Sequence, residues 1–393
     1  GGCLATAAAR HLLIFENRTE GHHLHWLRYI TDDFLTTGST ISLALDYRPE
    51  TKDRIHSHLP GLTDKISILS IYGKNGNLRG GGVVNALAAC LEESGADDVF
   101  VDNLDEIASG CLRRAAVGIN PPRSIRGRLS GVYFRPRFLA NSLWPPGNIL
   151  KEFGFRNLTR RKWFNRVFFM DEVLQETAQR RYPGQKFYFL PDPWDGTFLY
   201  DQAEARQKLG IPPDRFVFLC YGIGDRRKGL HLAVRAMLEP PVDPGLYLLC
   251  AGGLAPDAET ARGLTALKEQ GRATVLDRYV SDAEQSLCFC ASDVVLLPYI
   301  GHFGSSGVLS LAAAAGRMVI SSDEGLLARR IKENGLGWVF PSGNAGELKT
   351  RMHDALQLGS NEMAEFHKAA QLYAGTCSRE AFRKALLAPF AEG

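Results

Sequence analysis

Strand-sized blocks of consecutive apolar residues alternate along this chain with longer stretches whose apolar positions recur every three or four residues. Unbroken apolar blocks suit strands buried on both faces, and the wider spacing suits helices that bury one face. The first block runs from His11 to Glu16. A polar loop to Gly21 follows, then Leu24, Leu27, Ile30, Phe34 and Leu35 at helical spacing, with Gly38 as a stop. Ile41–Leu45 and Ile66–Ile71 read as strands, Val83–Glu93 as a helix and Asp98–Asp102 as a strand. Asn120–Asn148, rich in Pro, Gly and Arg, reads mostly as loop, and Val167–Met170 and Phe187–Leu190 as the last strands of this half. In Leu190-Pro-Asp-Pro-Trp194 each proline pushes its predecessor out of helix, which predicts an extended linker.

A second series begins beyond it. Phe216–Tyr221, Leu246–Cys250, Asp293–Leu297, Met318–Ser321 and Gly337–Phe340 are strand-like. Helices are expected over Leu230–Met237, from Ser281 through Cys290 with Ser281 and Glu284 as a capping box, and from about Ala345 onward. Strand and helix in alternation predict an α/β protein with parallel sheets. At 393 residues the chain is too long for one ordinary core and suits two. The expected division is a domain over residues 1–190, a second over 191–375, and a last helix over 376–393 that packs back on the first.

Composition is that of an ordinary globular protein, with 45% hydrophobic and 23% charged residues, and the net charge of +3 is too small to imply nucleic-acid binding. No apolar run reaches membrane-spanning length, and the first ten residues lack the order of a secretory leader. The eight cysteines are scattered, without metal spacing, and read as free buried thiols. The expected location is cytoplasmic, with a peripheral position at the inner face of the membrane. That last expectation comes from charge placement. Asn120–Leu190 holds 14 Lys or Arg against 4 Asp or Glu, and Phe155–Phe169 interleaves Arg156, Arg160, Arg161, Lys162 and Arg166 with Trp163, Phe164 and Phe168. Basic amphipathic stretches lie on anionic membranes; the plainer alternative is a solvated face over aromatic core.

Two loops carry candidate chemistry. Gly222–Gly229 follows a strand, opens a helix and contains Arg226, Arg227 and Lys228. Helix N-termini favour phosphate, and Arg grips phosphate oxygens two at a time. Tyr299–Gly307 also lies between strand and helix, with Gly304 and Gly307 allowing close backbone approach and Ser305 and Ser306 able to cap the helix or donate to phosphate. A solvated basic turn and a plain helix cap are the alternatives.

The stretch from about Phe216 to Phe340 resembles the donor-binding domain of retaining GT-B glycosyltransferases (group 1, family 4-like). The resemblance rests on Arg227-Lys228-Gly229, Val280-Ser281-Asp282, Ala291-Ser-Asp293 leading to Leu297-Pro298, Ser306-Gly-Val-Leu309 and Ala315-Gly-Arg-Met-Val319. Leu190-Pro-Asp-Pro193 resembles that family's linker. It implies two Rossmann-like domains facing each other across a cleft, and transfer of a sugar from a UDP- or GDP-sugar to a glycan, lipid-linked or other acceptor, with retention and without a tightly bound cofactor or metal. Lys228 with Arg226 or Arg227, and the backbone around Gly304, Ser305, Ser306 and Gly307, would then hold the donor diphosphate, and Gly21 would belong to the first domain's loop at the donor. Where that family carries two glutamates eight apart, the aligned positions are Phe303 and Leu311, which puts Leu311 beside the nucleotide ribose.

In the first half, His22 and His23 open a helix and Asp102 ends a strand, so these are the catalytic candidates for proton transfer or for binding the leaving phosphate. Exposed or capping histidines and an ordinary turn are the plainer alternatives. A non-hydrolysing nucleotide-sugar epimerase and a non-catalytic donor-binding subunit share the expected architecture.

Overall fold

The computed structural model describes residues 9–19, 23–140, 146–222 and 224–391, excepting the side chains of residues 23, 108 and 109. The chain divides into two compact units: residues 1–191 with 382–393, and residues 192–381.

In the first unit the order is β1 (His11–Phe15), α1 (His23–Leu35), β2 (Thr40–Leu45), α2 (Pro49–His58), β3 (Ser67–Ser70), α3 (Val83–Ser94), β4 (Asp98–Val101), α4 (Leu104–Ala116), β5 (Leu129–Tyr133), α5 (Gly147–Arg160), β6 (Phe164–Phe169), α6 (Glu172–Arg181) and β7 (Phe187–Phe189). The strands form one parallel sheet in the order β3-β2-β1-β4-β5-β6-β7. Because successive side chains point to opposite faces, Leu13 and Phe15 enter one core and Leu12 and Ile14 the other.

The segment read as loop, Asn120–Asn148, hides β5, whose five residues are all buried. Its glycine looked like a turn signal, but a Cβ at Gly131 would collide with the Val101 carbonyl and Leu104. Close packing against β4 and α4, not a turn, explains the residue. Likewise β6 begins at Phe164, three residues before the expected strand. Phe155, Trp163, Phe164 and Phe168 are core residues. The aromatics of the basic stretch therefore face inward, and Arg160, Arg161 and Lys162 are exposed.

The second unit contains α7 (Gln202–Leu209), β8 (Phe216–Tyr221), α8 (Leu230–Leu238), β9 (Leu246–Gly252), α9 (Ala258–Glu269), β10 (Ala273–Asp277), α10 (Asp282–Ala291), β11 (Val294–Leu297), α11 (Gly307–Ala314), β12 (Met318–Ser322), α12 (Gly325–Asn334), β13 (Gly337–Phe340), α13 (Ala345–Leu356) and α14 (Ser360–Thr376). Its parallel sheet runs β10-β9-β8-β11-β12-β13. The Ser281–Glu284 capping box is present at the start of α10.

The last helix, α15 (Arg379–Ala391), carries the chain back to the first unit's core. Phe390 meets Phe34, Phe100 and Phe168, and Phe382 meets Trp26 and Tyr29. Arg166 Nε donates to the Pro389 carbonyl at 2.8 Å, and the Arg383 guanidinium pairs with Asp33 at 2.9 Å. Each fully buried Phe contributes about 1.5–3 kcal/mol of apolar transfer.

Candidate functional site

Both sheets place a topological switch point, where strand order reverses, between two neighbouring strands: β1 and β4 in the first unit, β8 and β11 in the second. Open α/β sheets bind ligands beyond the carboxyl ends of such strands. In the second unit the two strand ends lead directly into the two candidate loops.

After β8, Arg226–Lys228 form one 3₁₀ turn capped by Asp225, whose carboxylate accepts from the Lys228 amide at 3.0 Å. Gly229 follows at φ 73°. A Cβ there would overlap the Pro298 carbonyl, so only glycine lets the basic turn touch the strand end of β11. The Ile300 amide donates to the Arg227 carbonyl at 2.8 Å and ties the loops a second time.

The three cations have different employments. Arg226 pairs with Asp257 at 3.0 Å; Arg227 reaches Asp225 at 3.4 Å and His302 Nδ1 at 3.4 Å. The Lys228 ammonium lies 4.0 Å from the centre of the Tyr299 ring, a cation–π contact. The Tyr299 hydroxyl in turn lies 3.4 Å from Ser306 Oγ. Lys228, Tyr299 and Ser306 are thus contiguous, which brings the lysine of one loop to the N-terminus of α11.

Ser306 is the N-cap residue of α11 but makes no side-chain cap bond; Ser305 turns away as well, donating to Asp192 Oδ2 at 3.0 Å. Neither serine caps the helix with its side chain, so backbone donors of the first turn face the loop. Arg330 donates to Ser305 Oγ at 3.0 Å, and His302 Nε2 donates to the Ser305 carbonyl at 3.0 Å. The two contacts fix the orientation of the His302 ring between Arg227 and the Ser305 carbonyl. Gly304 and Gly307 are half-buried in this loop. Leu311 is half-buried against the core of the unit, and Phe303 is 54% exposed.

In the first unit the switch point is acidic. Glu16 follows β1 and Asp102 follows β4, each 1% exposed. The Asp102 amide donates to the Phe15 carbonyl at 3.2 Å, and its buried carboxyl shares a side-chain hydrogen bond with Glu16. Burial, the larger effect, and the adjacent Glu16 carboxyl hold Asp102 well above the usual carboxylate range. Two buried carboxyls side by side cannot both ionise cheaply, which is why the neighbour adds to the upward shift. Asn103 caps α4 through the Asp105 amide at 3.1 Å. Glu16 was missed by sequence reasoning; its signal was a charged residue closing an otherwise apolar strand. Gly21 and His22 lie outside the described residues, and His23 is described only as the first residue of α1.

Residues 201–373 match the family described as Glycosyl transferases group 1, a span that covers nearly the whole second unit. The C-terminal unit is a glycosyl transferases group 1 domain. By that family the chain is a glycosyltransferase. The fold is GT-B, and solved structures share it across both units. Anabaena HepE, in a complex with UDP, is similar at 15% identity over 98% of this chain and all of that one, TM-score 0.69. Sucrose-phosphate synthase from Thermosynechococcus elongatus is similar at 16% identity over 95% and 96%, TM-score 0.68. A glycosyltransferase from Rickettsia africae is similar at 13% identity over 98% of each chain, TM-score 0.67. No curated protein matches the sequence.

Proposed function

We propose that this glycosyltransferase takes its sugar from a UDP- or GDP-sugar whose diphosphate rests between Lys228 and the N-terminus of α11. The observation that carries the reading is the contact chain Lys228–Tyr299–Ser306, which converges a cation and backbone donors at the switch point of the second unit. UDP in the HepE complex lends weight to a uridine or related nucleotide. Arg226 and Arg227 supply field more than direct grip, since Asp257 and Asp225 already engage them.

The acceptor, a glycan or lipid-linked hydroxyl compound, is assigned to the first unit, at Glu16 and Asp102. Asp102, buried beside Glu16, is assigned to the floor of that site rather than to proton abstraction. We assign transfer with retention: the bond from the anomeric carbon to the diphosphate breaks, the acceptor oxygen bonds to that carbon, and the acceptor proton passes to the departing phosphate. This route needs no strong side-chain base. His22, outside the described residues, and His23, the first residue of α1, are the further candidates for contact with the leaving phosphate. Contact with anionic lipid is assigned to α5, where Ile149, Leu150 and Phe153 are exposed and Arg160, Arg161 and Lys162 stand at its end. Sedimentation with anionic vesicles at low salt, reversed at high salt, tests that contact; protein left in the supernatant at low salt removes it.

Thermal unfolding against a panel of nucleotides and nucleotide sugars tests the donor site, because a ligand of the native state raises the melting temperature. A panel with no effect would overturn the reading. Product analysis with and without acceptor separates transfer from epimerisation. Phe303 and Leu311 at the positions aligned with the glutamates favour a second reading, a donor-binding subunit without turnover. Binding without product under every acceptor would support it.

A further inference from the structure

Asp192 belongs to neither candidate loop, yet it sits at their junction. Its side chain accepts from Ser305, and its carbonyl accepts from Ser310 Oγ at 2.8 Å. A Cβ built on Gly307 would lie 3.7 and 3.9 Å from its two carboxylate oxygens, so the carboxylate stands against the first residue of α11. Further groups that act on it are Lys228 from the turn after β8, Arg330 from α12 and the Cys377 thiol after α14. His302 bonds the Ser305 carbonyl, and Arg227 bonds His302. Burial is the largest effect and raises Asp192 to about 6, while Ser305, Arg330 and Lys228 pull it back. At pH 8 it is an anion.

A carboxylate beside a diphosphate site is costly unless it discriminates. When fully ionised, a nucleoside diphosphate carries one more negative charge than the matching nucleotide sugar, and that charge is on the terminal phosphate. In the sugar-bearing donor the same oxygen is esterified. We propose that Asp192 is a specificity-determining residue of the donor site, disfavouring the free nucleoside diphosphate relative to the nucleotide sugar and so speeding product release. The inference rests on the diphosphate lying at Lys228 and the start of α11.

The test is calorimetric binding of UDP and UDP-glucose at pH 8, where both ligands and Asp192 are ionised. Asp192→Asn is expected to tighten UDP about three- to tenfold more than UDP-glucose, the scale for one added unit charge a few ångströms from a partly screened carboxylate. Equal changes for the two ligands, or none, would overturn the inference. If Asp192→Asn does not give a native melting transition, Asp192→Ser, which also removes the charge, carries the same comparison. Lys228→Ala separates the two levels. If it weakens both ligands while Asp192→Asn leaves their ratio fixed, only the role of Asp192 falls. If Lys228→Ala weakens neither, the donor site and the role of Asp192 fall together.

Discussion

The two switch points share strand order and differ in sign. At the ends of β1 and β4 stand two buried carboxyls, Glu16 and Asp102. At the ends of β8 and β11 stand Arg226, Arg227 and Lys228, with Arg330 behind the second loop. Topology fixes where a ligand crevice opens, while the residues just past each strand decide what enters it. On the proposed function the acidic end meets acceptor hydroxyls and the basic end meets the donor phosphate.

The largest expected effect comes from separating the two basic-side loops. Gly229→Ala places a methyl on the Pro298 carbonyl at a left-handed backbone position. We expect a loss of on the order of 3 kcal/mol or more in stability by chemical denaturation, with loss of nucleotide binding. A variant as stable as wild type would show that the loops do not need this approach. Next in size, Lys228→Ala should weaken a nucleotide sugar by about 1.5–3 kcal/mol in calorimetry while the melting temperature without ligand stays put.

The acidic switch point is tested by pH. The folded value of Asp102 lies well above the ordinary 3.8 of an aspartate. Its stability contribution is therefore whole below that value and declines as pH rises toward the folded one, by about 1.4 kcal/mol per unit. As pH rises from 4 to 6, Asp102→Asn should gain stability on wild type in urea unfolding. Parallel pH profiles would mean that Asp102 ionises freely and that the contrast between the two units is false. The smallest effect is assigned to Leu311→Glu. It should leave nucleotide affinity within about 1 kcal/mol or improve it, since this half-buried position can turn a carboxylate toward a ribose. A loss beyond that range would show that the leucine itself packs the nucleotide.

The two candidate loops were legible because their parts are local. Gly222–Gly229 and Tyr299–Gly307 each lie between an apolar block and a helical period, and both fall at the switch point. What was not legible depends on partners distant in sequence. The glycine of β5 answers to Val101 and Leu104, and the aromatics of Phe155–Phe169 answer to a core that no local charge count reveals. Asp192 read as a linker residue; only the fold brings it to Ser305, more than a hundred positions later. Glu16 needed the parallel pairing of β1 and β4 to meet Asp102.

The return of α15 has a consequence for the order in which the protein is made. Phe382, Leu386 and Phe390 are core residues of a unit whose other elements end at β7. At about 5–20 residues per second, ribosomal synthesis separates β7 from α15 by roughly 10–40 s. During that interval Phe34, Phe100 and Phe168 lack their final cover, so the nascent first unit presents an aromatic groove to chaperones while the second is still being translated.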